Sequence, residues 1–232
     1  MPEIAAELDQ RGFCLVPNIA DNCQIDELKT AIAASEIARA KRRGQTYGAR
    51  NLLHLAEVRA LAGGRKVASC LLPLLGPGFR AVRGLFFDKT EGANWPVPWH
   101  QDLSLAVQKR CDLPGWDHWT VKRGVTHVQP PADILRRMIT MRLHLDACPV
   151  ENGALRLVPG SHRHGVLGRN EISVEAQKPA KIVSADAGDA VLMRPLILHA
   201  SSPAQTPRHR RVLHLEFAPA GLLPDQLRWA EI

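Results

Sequence analysis

The spacing of apolar and polar positions changes character near residue 78. Before that point it is helical. Pro2 to Gln10 is a short amphipathic stretch closed by Arg11-Gly12, and Phe13 to Val16 reads as a brief strand stopped by Pro17. Asp21 is a good N-cap for a helix from about Cys23 to Ala40, with Ile25, Leu28, Ile32 and Ile37 on its apolar side and Gly44 ending the run. Two more helices are expected over Asn51 to Ala62 and Lys66 to Leu75, separated by Gly63-Gly64 and stopped by Gly76-Pro77-Gly78.

From Phe79 onward the apolar runs are short and rich in β-branched or aromatic residues, with turn residues between them. Phe79 to Asp88, His100 to Gln108, Ile139 to Ala147 and Ala154 to Val158 have strand character. So do Lys181 to Ala185, Ala190 to Met193, Ile197 to Ser201 and Arg211 to Phe217. Turns are signalled at Glu151-Asn152-Gly153, Pro159-Gly160-Ser161, Ala187-Gly188-Asp189 and Ser202-Pro203. About eight short strands predict a sandwich or squat barrel. The expectation is one domain over residues 1–232, with a helical support over 1–78 and a β core over 79–218. Lys109 to Pro131 breaks this rhythm. It holds Trp116, His118, Trp119 and His127 among three prolines, and is too long for a simple connection. It reads either as a lid over a pocket or as an insertion packing its tryptophans outside the barrel.

Composition narrows the class. Hydrophobic residues make up 45% and charged residues 23%, the balance of an ordinary globular chain. The formal charge of +7 is spread along the sequence, densest at Lys41-Arg42-Arg43, Arg136-Arg137 and Arg208 to Arg211. No recognition element accompanies it, so a nucleic-acid partner is not expected; the excess suits a small anionic substrate or cosubstrate. The five cysteines are odd in number and contain no CxxC pair, which predicts free thiols in a reducing compartment. With no signal-like start and no membrane-length apolar run, a cytoplasmic location without membrane association is expected.

The candidate chemistry lies in His100-Gln101-Asp102, with His199 and Arg210 far downstream. Two imidazoles and one carboxylate, with other metal positions open, form the ligand set of non-haem Fe(II) oxygenases. On an extended strand His100 and Asp102 project together and Gln101 projects oppositely. A second tripeptide, His144-Leu145-Asp146, competes with the first. Either alone is equally consistent with a turn histidine and a surface ion pair.

Six blocks taken together resemble the phytanoyl-CoA dioxygenase family of Fe(II)/2-oxoglutarate oxygenases: Trp99 to Leu103, Glu151 to Leu155, Val158 to His162, Ala187 to Asp189, His199 to Ser201, and Arg210 to Phe217. The resemblance implies a double-stranded β-helix, a cupin-like jelly-roll barrel with helices packed on one side. It assigns His100, Asp102 and His199 to the iron, because the metal pair there precedes the Asn-Gly and Pro-Gly-Ser-His blocks by a strand and loop. His144 then lies on a strand able to line the pocket. The resemblance further implies 2-oxoglutarate as cosubstrate and O2 as oxidant, with hydroxylation of a small organic molecule and release of succinate and CO2. Arg210, eleven residues after His199, is placed to grip the far carboxylate of 2-oxoglutarate; Arg208 and Arg211 compete by proximity. Ser201, Arg142 and Gln101 are further candidates for contact with cosubstrate or substrate. Phe86, Phe87, Trp116 and Trp119 are candidate pocket lining. Asp102 speaks against the family's halogenases, which replace that carboxylate with a small residue.

Overall fold

The computed structural model describes residues 2–35, 39–42 and 45–231. The helical support comprises α1 (Pro2–Gln10), α2 (Asn22–Ala34), α3 (Ala56–Ala62) and α4 (Arg65–Leu75), interleaved with β1 (Phe13–Val16), β2 (Arg39–Arg42) and β3 (Gln45–Arg50). The core follows as β4 (Arg80–Lys89), β5 (Val97–His100), β6 (Leu105–Val107), β7 (Asp117–Lys122), β8 (Val125–Gln129), α5 (Ala132–Arg136), β9 (Ile139–His144), β10 (Leu155–Leu157), α6 (Arg169–Glu175), β11 (Lys181–Val183), β12 (Ala190–Met193), β13 (His199–Ser201) and β14 (Arg210–Ala218).

The strands form a seven-stranded sheet in the order β1-β12-β9-β14-β4-β3-β2 and a four-stranded sheet in the order β11-β10-β13-β5. From β4 onward the chain passes back and forth between them: β4 in the large sheet, β5 in the small, β9 large, β10 and β11 small, β12 large, β13 small, β14 large. All neighbours are antiparallel. This alternating path is the double-stranded β-helix, mainly β with helices at the N-terminal end. Phe13, Leu155, Leu157, Val183, Val191, Met193 and Ile197 fill one part of the space between the sheets.

Period-two alternation separates the two faces of the large sheet. Along β14, Leu213, Leu215 and Phe217 point outward into a core shared with Leu8, Ile25, Leu28, Ile32, Val67 and Leu71 of the helices. Arg210, His214 and Glu216 point inward and line a cavity between the sheets. The helices therefore cover the outer face and leave the inner face for chemistry. No helix among the described residues is long and apolar enough to cross a membrane. All five cysteines are free thiols.

Several local expectations are corrected. Helix α2 starts at the predicted Asp21 N-cap, which forms a capping box with Gln24, but ends at Ala34. There Ser35 turns extended, and its hydroxyl donates to the Ile32 carbonyl at 2.8 Å. Residues 39–42 are strand, while Ile37 and Gly44 lie outside the described residues. The helix expected from Asn51 to Ala62 is a 3-10 turn, Leu52–His54, followed by α3, because Asn51 is left-handed at φ 64° and Leu55 is extended. The strand expected from His100 to Gln108 breaks after His100, and its distal part joins a third sheet, β6-β8-β7.

That third sheet is built largely from the long insertion. A β7–β8 hairpin turns at Arg123 (φ 50°) and Gly124 (φ 80°), two positive values whose twist suits a tight antiparallel turn. Trp116 and Trp119 pack with Leu105, Val107, Val128, Leu135, Met138 and Leu227. They do not line the cavity, and neither does Phe86, which faces the helical core; Phe87 does. The end of the hairpin brings Lys122 to the cavity instead.

Gly188 ties the support to the barrel. It is held at φ +94°, and an added Cβ would sit 2.3 Å from the Ala20 carbonyl oxygen. Its N–H donates to the His144 carbonyl at 2.8 Å. Gly188→Ala is expected to destabilise the protein by about 2 kcal/mol or more. Urea unfolding with an unchanged midpoint would contradict this.

Candidate metal centre

His100 ends β5, and Asp102 lies just beyond it, where its N–H donates to the Pro195 carbonyl at 2.9 Å. His199 opens β13 and is the direct antiparallel partner of His100. The two rings lie 4.1 Å apart by centroid. The Asp102 carboxylate is 4.0 Å from His100 Nε2 and 3.8 Å from His199 Nε2. One ligand atom from each of the three residues falls within a 4.8 Å cluster, the only such group among the described residues.

Both imidazoles are oriented by backbone. His100 Nδ1 lies 2.8 Å from the Pro98 carbonyl and His199 Nδ1 lies 3.0 Å from the Ile197 carbonyl. A carbonyl only accepts, so Nδ1 carries the proton and the Nε2 lone pair is left free to face the carboxylate. Burial drives the His199 imidazole down to about 3, which keeps it neutral at ordinary pH. Burial pushes the Asp102 carboxyl up, but His199, His214, His100 and Arg142 outweigh it and hold it at about 2. Asp102 Oδ2 is buried without a hydrogen-bond donor among the described residues. An anionic oxygen lacking a donor, beside two neutral lone pairs, fits a divalent cation.

A cluster of buried cations lies near this group. Arg210 is buried at the start of β14, and its Nη1 donates to the Gly153 carbonyl. Gly153 is left-handed at φ +69°, and a Cβ there would meet the Ser202 carbonyl at 2.6 Å, so the predicted Asn-Gly turn needs its glycine. Arg142 on β9 lies 3.1 Å from His214 Nδ1, and its Nε is buried and unpartnered. Lys89, the strand partner of Arg210, donates to Ser201 Oγ and to the Ser202 carbonyl, both at 3.0 Å. Burial, then Arg210 and Arg142, bring the Lys89 ammonium down to about 7. Lys89, Arg142 and Arg210 form no carboxylate ion pair among the described residues. Unpaired buried cations are costly, and together they fit an anion bound beside the metal group.

The structure thus brings His100, Asp102, His199, Arg142, Ser201 and Arg210 to one cavity of about 390 Å³. Arg211 is excluded: it faces away and grips Asp146 through two guanidinium nitrogens at 2.7 and 2.8 Å. That pairing also dismantles the rival tripeptide, since Asp146 is turned to Arg211 and Lys29 while His144 is buried separately. Gln101 borders the cavity, but its amide is committed elsewhere. Nε2 donates to the Gly165 and Leu196 carbonyls at 2.8 and 2.6 Å, and Oε1 accepts from Leu167 N–H at 2.8 Å. The expectation of a cosubstrate contact from Gln101 is therefore corrected to a brace that fixes the loop carrying Asp102.

Sequence reasoning missed Lys89, His214 and Glu216. Strand alternation counted from Arg210 would have placed His214 and Glu216 on its face. Lys89 fell just outside the predicted strand, and only the pairing of β4 with β14 reveals it.

Fold and site together define a jelly-roll protein with a facial two-histidine, one-carboxylate group beside an anion-binding recess. The family model described as Phytanoyl-CoA dioxygenase (PhyH) matches residues 8–212. The chain belongs to the phytanoyl-CoA dioxygenase family, and is a non-haem iron, 2-oxoglutarate-dependent enzyme of that family. No curated protein matches the sequence closely enough to count as a relative. Among solved structures, the non-haem α-ketoglutarate-dependent epimerase SnoN from nogalamycin biosynthesis is similar at 20% identity and a TM-score of 0.68, covering 94% of this chain and 82% of that one. The carbocyclase SnoK from the same biosynthesis is similar at 16% identity and a TM-score of 0.70, covering 100% and 87%. HygX from Streptomyces hygroscopicus, solved with nickel and 2-oxoglutarate bound, is similar at 16% identity and a TM-score of 0.67, covering 95% and 88%. Likeness at these identities shows the shared fold.

The buried imidazoles predict an acid-sensitive apoprotein. Burial holds His127 at about 4, and His144 and His199 at about 3, against an ordinary value of 6.5. Below 6.5 the unfolded chain takes up protons that the folded chain refuses. Stability therefore falls as pH drops from about 6.5 toward 4, with each group adding a slope of up to about 1.4 kcal/mol per pH unit. Urea unfolding of metal-free protein between pH 7.5 and 5 should show this decline; a flat profile would contradict it.

Proposed function

We propose that the protein hydroxylates an unactivated C–H bond of a small organic substrate, coupled to conversion of 2-oxoglutarate and O2 into succinate and CO2. The observation that carries this reading is the convergence of His100, Asp102 and His199, with the Asp102 oxygen left without a donor and unpaired cations behind it. In this reading those three residues hold ferrous iron, which supplies the activation of O2. Three protein ligands would leave positions on the metal open for cosubstrate and O2.

The protein's own part is positioning. Arg210 takes the distal carboxylate of 2-oxoglutarate through its planar fork. Ser201 lines the same recess, with Lys89 hydrogen-bonded to its hydroxyl, and Arg142 adds positive charge near both Arg210 and Asp102. The Pro98 and Ile197 carbonyls hold the two ring protons so that neither imidazole turns away. Leu85, Phe87, Trp95 and Val97 give the cavity apolar walls, which limit water around the reacting carbon. The retained Asp102 carboxylate supports hydroxylation over halogenation. A cupin-like enzyme working without 2-oxoglutarate would have no use for three buried cations beside its metal.

Two outcomes are expected. His100→Ala and Asp102→Ala should each lose iron binding in anaerobic dialysis, and turnover with it, while keeping wild-type circular dichroism. Retained iron or turnover in either would count against the assignment. Arg210→Ala should raise the KM for 2-oxoglutarate at least tenfold, as expected for a charge-assisted contact of about 1.5–3 kcal/mol; an unchanged KM would favour the cupin-like alternative. Incorporation of one ¹⁸O atom from labelled O2 into the product would distinguish hydroxylation from epimerisation or ring closure.

A further inference from the structure

The cavity lining carries charge that neither the metal group nor the cosubstrate accounts for. Its lining holds five cations, Arg50, Arg83, Lys122, Arg142 and Arg210, against two carboxylates, Asp102 and Glu216. Ferrous iron and 2-oxoglutarate bring equal and opposite charge, so the loaded cavity keeps an excess of three. Glu216 is engaged already, 3.0 Å from Arg83 and 3.6 Å from His214. Arg83 is doubly committed, because it also donates to the Ser104 carbonyl at 3.1 Å. Arg50 and Lys122 remain, with no ion-pair partner among the described residues.

These two cations come from separate elements. Arg50 ends β3 and sits opposite Leu85 of β4. Lys122 is delivered by the insertion's hairpin, at the turn set by Arg123 and Gly124. Arg50 lies close enough to Lys122 to lower it. Burial, then Arg83 and Arg123, lower Arg50; burial, then Arg83 and Arg50, lower Lys122. Tyr47 and Trp95, packed edge to face at 4.9 Å, line the same cavity, as do Phe87 and Leu85. A site that combines cations lacking ion-pair partners with aromatic and apolar lining selects a ligand with an oxyanion head and an apolar body.

We infer that the substrate is a small acid, its carboxylate or phosphate monoester group held by Arg50 and Lys122 and its carbon skeleton lying against Tyr47, Trp95, Phe87 and Leu85. This rests on the oxygenase reading above and narrows it. The oxyanion anchors one end of the molecule and so fixes which carbon faces the metal group. The hairpin of the insertion, through Lys122, becomes a specificity element.

The test is calorimetric titration into protein saturated anaerobically with Fe(II) and 2-oxoglutarate, so that the probes cannot occupy the Arg210 recess. Benzoate, hexanoate and phenyl phosphate are compared with benzamide, hexanamide and phenol. The acids should bind at least tenfold tighter than their neutral partners, and the order of benzoate and phenyl phosphate tells which oxyanion is preferred. Arg50→Gln and Lys122→Gln should each weaken the acids at least fivefold and leave the neutral probes unchanged, while Lys122→Arg retains acid binding. Equal binding of acids and neutral partners, no binding of any acid, or unaltered acid affinity in both Gln variants would overturn the assignment. Iron and 2-oxoglutarate occupancy is measured in the same samples. Absent occupancy sinks the oxygenase reading, and this inference with it. Full occupancy without preference for acids sinks this inference alone.

Discussion

The antiparallel pairing of β13 with β5 sets His199 directly opposite His100, and the rest of the site is arranged around that contact. Neither strand is long: β5 has four residues and β13 three. Their alignment is held from outside, by β10 on the other edge of β13 and by the Asp102 N–H bond to the Pro195 carbonyl. The Gln101 amide ties the same corner to Gly165, Leu167 and Leu196. A slip of one residue would turn one imidazole out of the cavity, because side-chain direction reverses at each step along a strand.

The second constraint is electrostatic. A barrel interior that buries Lys89, Arg142 and Arg210 without carboxylate partners carries an unfavourable charge density, since each lost its water on folding. Hydrogen bonds to Gly153, Ser201 and Ser202 relieve part of it. In the proposed reading the remainder is relieved when the cosubstrate dianion enters, so that binding energy for it is built into the folded state, in the way preorganised sites generally work. The same logic extends outward to Arg50 and Lys122, where the relieving anion would be the substrate.

Much of this was legible in the chain. Apolar spacing placed the helices at the N-terminal end and seven of the eight barrel strands after residue 78, β5 being the exception, and turn glycines such as Gly153 and Gly188 fell where positive φ is required. The His-x-Asp pair and the later histidine stood out by residue type, and it was the resemblance to the oxygenase family that singled out these residues and Arg210 from their rivals. The second His-x-Asp could not be dismissed by periodicity alone. It took the Arg211 grip on Asp146 to show that this carboxylate faces away from the cavity. The insertion was equally opaque, because its tryptophans are compatible with either a pocket wall or a separate core, and packing against Leu135 and Leu227 decided for the core.

The sequence by itself determined the β-rich fold class from its local apolar pattern, and the candidate metal group from the residue types in six blocks that resemble one oxygenase family. Tertiary structure decided which charges share a space. Lys89 meets Arg210 through the β4–β14 register, and Lys122 meets Arg50 through a hairpin folded back over the barrel. Local pattern records which face of a strand a residue occupies. The distance between two charges on different strands is set by register and by the path of the connections, and no window along the chain contains either.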